Sequence, residues 1–175
     1  MMKNFELALN SNNFKKAGEW DMHAKYQPCK KVNGSFNSEG CVYVWVAEKG
    51  QKCIPIYVGR ASKGIPKRMK EHMNGFKGPQ NGGTKSGESK RLFIQTCIKN
   101  DFKVNVYARI SEEISNRLLE ALSIKGIFDK SPKINASAIE EDLFIEIFKS
   151  NNDLFLNGKS PSNAELKKII DDFMK

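Results

Sequence analysis

The sequence predicts a small α+β domain whose three-stranded antiparallel sheet is flanked by helices. Two short runs rich in β-branched and aromatic residues, 41–47 and 53–59, are separated only by a polar turn, and a third such run lies at 102–110. Helical patterns separate the second run from the third and follow the third. The chain has 175 residues, of which 39% are hydrophobic and eleven are Phe, which suffices for one core.

The first two runs are expected to form a β-hairpin. Cys41–Ala47 is apolar throughout, as a buried strand is, and residues 48–52 supply a polar turn. Strands joined by so short a loop are antiparallel. Pro55 lies early in the returning strand, where a missing amide donor is tolerated at a strand start or at a sheet edge.

Two helices are predicted between the hairpin and the third strand. Residues 65–76 carry an apolar stripe at helical spacing, and Pro66 suits a first turn. Residues 88–99 are also amphipathic. The segment 74–89 between them contains five glycines and one proline, so a mobile loop is expected there.

The two ends of the chain are expected to be mostly helical or irregular. Residues 1–39 are predicted to hold a short helix or two, followed by an irregular approach to the hairpin. Ser111 is a candidate N-cap for a helix that runs to about residue 128. Two capping boxes, Ser137 with Glu140 and Ser162 with Glu165, precede two further apolar helical patterns.

The charge distribution favours a polyanionic partner. The net charge is +9, and residues 60–91 carry seven of these charges, since nine of them are Lys or Arg and two are acidic. A solvated basic face is the alternative interpretation. Besides Arg68, the basic residues expected to contact nucleic acid are Arg60, Lys63, Lys67, Lys70, Lys77, Lys85, Lys90 and Arg91.

Several classes of function lack the residues they require. The four cysteines form no C-x-x-C pair, and with His23 and His72 they cannot build a standard zinc finger. Neither a P-loop nor G-x-G-x-x-G is present, so no nucleotide cofactor is expected. The apolar runs are too short to span a membrane, no signal-peptide pattern opens the chain, and unpaired cysteines suit a reducing cytoplasm, which is the predicted location.

Six residues form a candidate catalytic set. Tyr43 and Tyr57 lie on adjacent strands, where they can project from one face of the hairpin, and Arg68 and His72 are four residues apart on one helical face. The other two, Glu120 and Asn135, lie in an apolar helical run and a later loop. Taken singly, each has a plainer interpretation as a strand aromatic, a surface residue, a solvated acid or a loop residue.

In order and spacing this set resembles the GIY-YIG nucleases. The matching features are Cys41-Val-Tyr43, Tyr57-Val-Gly59, Arg68-x-x-x-His72, a strand, and an acid in the helix that follows. The first motif departs from the family in reading CVY, although Gly40 precedes it. The resemblance implies a GIY-YIG-like catalytic core at 40–135, an N-terminal extension at 1–39 for recognition or dimerisation, and a C-terminal helical extension at 136–175.

Phosphodiester hydrolysis needs a nucleophile, a cation beside the phosphoryl oxygens and help for the leaving oxygen. Arg68 supplies a fixed planar cation, and Glu120 is the expected single-carboxylate ligand of Mg²⁺, for which Mn²⁺ is an expected substitute. Tyr43 is the expected base, its pKa of about 10 lowered by Arg68, His72 and the metal. By resemblance, Tyr57 and His72 assist proton movement.

The resemblance also assigns Asn135 to hold the site together by hydrogen bonds. The expected function is therefore Mg²⁺-dependent cleavage of double-stranded DNA by a restriction-type or phage- or homing-type endonuclease, with a homodimer as one expected form. A structure-specific repair or recombination nuclease and a non-catalytic nucleic-acid-binding module are the alternatives. The E-x-K pattern of Glu88 and Lys90 lies at the edge of a glycine-rich segment and adds little support for a restriction-type carboxylate fold.

Overall fold

The computed structural model describes residues 9–29, 36–37, 40–111, 136–149, 164 and 171. In chain order the elements are β1 (Lys15–Trp20), β2 (Tyr26–Pro28), β3 (Cys41–Lys49), β4 (Lys52–Ala61), α1 (Ile65–Gly75), a 3-10 turn (Pro79–Asn81), α2 (Lys85–Lys99), β5 (Lys103–Ile110) and α3 (Ala136–Lys149).

The strands form one antiparallel sheet in the order β2-β1-β5-β3-β4. The α+β class is confirmed, but the prediction of a three-stranded sheet is wrong. The three predicted strands are adjacent, as β5-β3-β4, and two strands from the first 39 residues extend the sheet beyond β5. The sheet is larger because the free edge of β5 is covered by β1, which pairs Trp20 with Val104.

β1 and β2 overturn the expectation of an irregular approach to the hairpin, whereas residues 9–11 are helical, in agreement with a short helix near the N-terminus. Gly18 permits their close packing, since a Cβ on it would lie 2.5 Å from the ring of Tyr26. Trp20 is buried and stacks edge-on against Trp45 at a centroid distance of 5.1 Å. This N-terminal segment therefore shares the core of the hairpin.

The central strand β3 separates two apolar layers. Its alternate residues, such as Tyr43 and Trp45, join the cluster covered by α1 and α2, while Val42 and Val44 join a second cluster with Phe144 of α3. Residues Cys41–Ala47 are all buried because both faces of the strand are covered. The predicted hairpin is confirmed, with Lys49 paired to Lys52 across its turn.

A bulge in β4 sets the direction of the second tyrosine. Trp45 pairs with Tyr57, but Val46 pairs with Pro55, so Ile56 is an extra residue without a partner on β3. Bulges of this kind redirect side chains and are frequent beside functional sites. Here the bulge leaves Tyr57 on the face of β4 that α1 and α2 cover.

The predicted helices on this face are confirmed, but the loop between them spans 76–84, includes a 3-10 turn and is shorter than the predicted 74–89. α1 extends to Gly75, and α2 begins at Lys85 with the Thr84 side chain accepting a hydrogen bond from the Gly87 N–H at 2.9 Å. The two helices approach closely because Gly87 has no side chain. A Cβ there would lie 2.3 Å from the Gly75 carbonyl oxygen.

On the other face, a buried ion pair joins α3 to β5. Arg109 is 4% exposed, Glu140 is 1% exposed, and Arg109 Nε lies 3.8 Å from Glu140 Oε2. The apolar helical pattern predicted after Ser137 and Glu140 lies in α3, which begins one residue before Ser137.

The helix predicted after Ser111, together with Glu120 and Asn135, lies outside the described residues. The helix predicted after Ser162 does so too, apart from Ala164 and Asp171. None of the helices within the described ranges combines the length and apolar composition required to cross a bilayer.

Candidate active site

Tyr43, His72 and Arg68 form a contiguous polar cluster on the face of the sheet that α1 covers. The Tyr43 hydroxyl lies 2.6 Å from His72 Nε2, and Arg68 Nε donates to the same hydroxyl at 3.3 Å. The four-residue spacing predicted for α1 places Arg68 and His72 one turn apart, above β3. The sequence-predicted Tyr43, Arg68 and His72 are therefore brought together.

Gly59 makes room for the phenol of Tyr43. The two residues are paired across β3 and β4, and a Cβ on Gly59 would lie 2.5 Å from the Tyr43 hydroxyl oxygen. Only glycine leaves that volume empty. The glycine that follows Tyr57-Val58 thus has a packing role at the cluster.

His72 is neutral because its ring is enclosed by aromatic side chains. Trp45 and Tyr57 lie at ring-centroid distances of 4.8 Å and 5.6 Å, and the residue is 9% exposed. Burial, followed by the positive charges of Lys90 and Arg68, lowers the pKa of His72 to about 2. The expectation that His72 supplies positive charge to Tyr43 is wrong for this reason.

Tyr43 retains its proton in the cluster. The residue is fully buried, and desolvation raises its pKa well above the usual value, although Arg68 acts in the opposite direction. Arg68 donates to the phenol oxygen, so the phenol O–H is left to donate to the neutral His72 Nε2. The arrangement is a directed chain of hydrogen bonds from guanidinium to phenol to imidazole.

Arg68 connects this chain to a solvent-accessible cavity. Its guanidinium also pairs with Glu71 one turn further along α1, at 2.8 Å. Burial alone would lower the pKa of Arg68, but the neighbouring Tyr43 and Glu71 outweigh it, so this pKa is raised above its usual value. The cavity, of about 310 Å³ and called here the basic cavity, is lined by Arg60, Ala61, Ser62, Lys63, Gly64, Lys67, Arg68 and Glu71.

Tyr57 and Lys90 lie at the side of the cluster. The ammonium of Lys90 is 4.1 Å from the centroid of the Tyr57 ring, a cation–π arrangement. Burial raises the pKa of Tyr57, so this phenol is also protonated. Lys90, predicted as one of many nucleic-acid contacts, is brought by α2 into the electrostatic surroundings of Arg68 and His72.

Glu141 is the acidic residue that the sequence analysis missed. It projects from α3 to Arg60 of β4, with Oε2 3.3 Å from Arg60 Nε. Burial raises its pKa, while the charges of Arg60, Arg68 and Lys90 lower it. The local signal was the acidic run Glu140-Glu141-Asp142 at the start of an apolar helical pattern, but only the packing of α3 shows that Glu141 faces these cations.

The remaining predicted nucleic-acid contacts are distributed over both ends of α1. Lys63 and Lys67 line the basic cavity, whereas Lys77 and Arg91 line a second cavity of about 410 Å³ together with His23 and Lys25. Lys70 and Lys85 are exposed. The predicted stretch from residue 60 to residue 91 is therefore divided between two adjacent basic surfaces.

The described residues contain no cluster of three or more His, Cys, Asp or Glu side chains suited to hold a metal ion. Mg²⁺ commonly takes only one or two protein carboxylates and completes its shell with water and substrate phosphate. Glu141, half-buried beside the cluster, fits that smaller requirement. Glu120, the predicted ligand, and Asn135 lie outside the described residues.

Comparison with protein-family models, with curated proteins and with solved structures gives no match to this chain.

Proposed function

We propose that this protein is a Mg²⁺-dependent endonuclease that hydrolyses phosphodiester bonds of double-stranded DNA. The observation that supports the proposal most strongly is the hydrogen-bonded chain from Arg68 through Tyr43 to His72, which opens at Arg68 onto the basic cavity. A fixed cation, a phenol and a buried neutral imidazole provide a phosphate anchor and a path for a proton.

In the proposed reaction the scissile phosphate binds Arg68 at the mouth of the basic cavity. Its oxygens take the place of Glu71, whose pair with Arg68 is partly exposed and therefore weak. The planar guanidinium offers two parallel donors to phosphate oxygens, a geometry that an ammonium lacks. Glu71 thus holds Arg68 in position until substrate arrives.

The attacking water gives up its proton to the oxygen of Tyr43 as the phenol proton moves to His72 Nε2 at 2.6 Å. In the free protein His72 is a weak base because its ring is buried and, secondly, because Lys90 and Arg68 lie near it. A bound phosphodiester brings negative charge to the same place, which raises the pKa of His72 and makes the transfer easier. Substrate binding therefore activates the base.

Mg²⁺ is the proposed cofactor, and when bound it would neutralise charge on the phosphoryl and leaving oxygens. Glu141 is the described carboxylate that could hold it, with substrate oxygens and water as further ligands. Arg60 would then lose its partner and become available to a phosphate. Glu120 stays a prediction for the same task.

The first test is cleavage of supercoiled plasmid in the presence of Mg²⁺ by the wild type and by Arg68→Ala. We expect the wild type to nick DNA and the variant to lose at least about a hundredfold in rate, since electrostatic contacts to the transition state have this size. Lys103→Ala, a change at an exposed residue of β5, is the control and should cleave normally.

The second test separates the two candidate acids. Glu141→Gln and Glu120→Gln are compared for cleavage and for the Mg²⁺ concentration at half-maximal rate. If Glu141 holds the metal, its variant loses cleavage but retains DNA binding, and Glu120→Gln cleaves like the wild type. The reverse pattern would assign the metal to Glu120.

Two observations favour the alternative of a non-catalytic DNA-binding module. The phenol of Tyr43 is fully buried, and the pKa of His72 is about 2 in the free protein. A wild-type protein that binds plasmid tightly but leaves it uncut with Mg²⁺ or Mn²⁺ would support this alternative.

Mapping the cleaved ends on a sequenced plasmid tests the proposed sequence selectivity, which predicts discrete cut sites.

A further inference from the structure

A second cavity, of about 410 Å³ and separate from the basic cavity, has a cationic rim. Its basic lining comes from three parts of the chain: His23 and Lys25 of the turn between β1 and β2, Lys77 after α1, and Arg91 of α2. His23, Lys25 and Lys77 are exposed, and Arg91 is half-buried. Within the part of the chain that the structure describes, neither Lys25 nor Lys77 has an ion-pair partner. The proposed cleavage reaction uses none of these residues.

Hydrogen bonds hold the turn that carries His23 and Lys25. The Asp21 Oδ1 atom accepts from the backbone N–H of His23 at 2.8 Å and from that of Lys25 at 2.9 Å. The Ala24 N–H donates to the Asp21 carbonyl oxygen at 2.8 Å. The Asp21 carboxylate is thus engaged within the turn, and little loop ordering is needed for a ligand to meet these two side chains.

Arg91 is held in place on the α2 side of the second cavity. Its Nη1 donates to Gln95 Oε1 at 3.2 Å, and Gln95 Nε2 donates to the Met22 carbonyl oxygen at 3.3 Å, so Gln95 connects α2 with the β1–β2 turn. Glu88 faces Arg91 with Oε1 3.8 Å from Nη2, and a partly exposed pair of this kind is weak. Among the described residues Arg91 Nε has no hydrogen-bond partner. An incompletely satisfied guanidinium favours an anionic ligand here.

The chemistry of the second cavity suits a phosphate better than a stacked base. Phe76 is its aromatic lining residue, but this side chain is buried, and its ring packs against Trp20 at a centroid distance of 5.2 Å. Little aromatic surface is left on which a base could stack. The exposed groups of the cavity are basic side chains, which are the usual partners of the DNA backbone.

The second cavity lies on the side of α1 opposite to the basic cavity. An α-helix has about 3.6 residues per turn, so Lys67 and Arg68 of the basic cavity lie about half a turn around the helix from Met73 and Phe76 of the second cavity. The two cavities are therefore at least about 10 Å apart, the diameter of a helix with its side chains. Exposed Lys70 lies between them. DNA grooves are about 6 Å and 12 Å wide, so one duplex can reach both cavities.

We propose that the second cavity binds a backbone phosphate of the DNA duplex, away from the cleaved linkage. This inference rests on the DNA-binding part of the proposed function. One phosphate at Arg68 and another at Lys25 and Lys77 fix the orientation of the duplex across α1, which a single contact does not. Phosphate contacts position DNA and carry no base information, so the choice of sequence belongs to other residues.

The test measures the affinity of a labelled DNA duplex by fluorescence anisotropy over a salt series, in EDTA so that the DNA stays uncut. The cavity variant combines Lys25→Met with Lys77→Met. The control variant combines Lys99→Met with Lys103→Met, which removes the same two charges from exposed positions that line neither cavity. A third variant adds Lys63→Met and Lys67→Met of the basic cavity to the cavity variant.

We expect the slope of log K against log salt concentration to become shallower by about two in the cavity variant, about one for each lost phosphate contact. The control variant should keep a slope close to that of the wild type. The third variant should be shallower by about four, because the two cavities contact different phosphates. Melting temperatures should change little, since all the replaced lysines are exposed.

Two results would overturn the inference while DNA binding stands. If the cavity and control variants change the slope equally, these lysines act only through net charge. If the third variant is no shallower than the cavity variant, the two cavities do not contact separate phosphates.

The proposed nuclease function fails in a different way. A wild type that shows the expected slopes but leaves plasmid uncut with Mg²⁺ or Mn²⁺ would support the second cavity as a phosphate site and contradict the nuclease function. A wild type that does not bind DNA would contradict both.

Discussion

His72 is held neutral inside an aromatic enclosure, and this should appear in the pH dependence of folding. Its pKa is about 2 in the folded chain against 6.5 for the unperturbed group. Below pH 6.5 the unfolded chain binds a proton that the folded chain excludes, so the free energy of unfolding falls as pH decreases, by about 1.4 kcal/mol per pH unit for one proton.

The measurement is urea unfolding of the wild type and His72→Gln at pH 7, 6 and 5. The wild type should lose stability more steeply than the variant as pH decreases, because all other titrating groups are shared. Parallel curves for the two proteins would show that His72 is not neutral in the folded state.

Gly59 leaves room for the Tyr43 phenol, so Gly59→Ala should disturb both packing and the proposed chemistry. The added methyl would lie 2.5 Å from the phenol oxygen, and overpacking of a buried site costs about 1–3 kcal/mol. We expect a lower melting temperature and a larger loss of cleavage than of DNA affinity.

Gly40→Ala is the matched control, since no atom lies within 4 Å of a Cβ built there. It should melt and cleave like the wild type. A Gly59→Ala protein with unchanged melting and cleavage would mean that the phenol does not lie over this glycine.

At the scale of elements, α3 is fixed to the sheet by the buried pair of Arg109 and Glu140. Removing one partner leaves the other charge buried, which costs about 3–5 kcal/mol, whereas removing both is often nearly neutral. Arg109→Met should therefore be strongly destabilising, and the double variant with Glu140→Leu should recover most of the loss. Chemical unfolding of the four proteins in this cycle checks the prediction, and additive losses would contradict it.

The elements predicted correctly are those with a strong local signal. β3 and β4 are apolar runs joined by a two-residue turn, and α1 has both Pro66 and an apolar stripe. β1 and β2 were missed because they are short and partly polar, and their burial depends on pairing with β5 and on Gly18 beneath Tyr26. The start of α2 was missed because five nearby glycines outweighed the Thr84 cap.

The residues of the candidate site were likewise predictable where the signal is local and unpredictable where it depends on packing. Tyr43, Tyr57, Arg68 and His72 lie in motifs whose spacing alone indicates a shared face. The positions of Glu141 and Lys90 beside the cluster could not be predicted, because they depend on how α3 and α2 pack against β4. The direction of the Tyr43 and His72 pKa shifts was also beyond the sequence, since it is decided by burial.

At the scale of the whole molecule, the excess of nine positive charges should make DNA binding strongly dependent on salt. Each phosphate neutralised by a cation contributes about −0.9 to the slope of log K against log salt concentration. Replacing both Lys63 and Lys67, which line the basic cavity, by Met should make the slope shallower by about two. Fluorescence anisotropy over a salt series measures this slope. An unchanged slope in the double variant would show that DNA does not contact the basic cavity.

The most direct test of the account is the single-turnover rate of DNA cleavage by Tyr43→Phe. This change removes one oxygen, the atom that links Arg68 to His72, and leaves the ring in the core. The account predicts unchanged DNA affinity and a cleavage rate lower by about a hundredfold or more, as expected for loss of a general base. A variant that cleaves at the wild-type rate would contradict it.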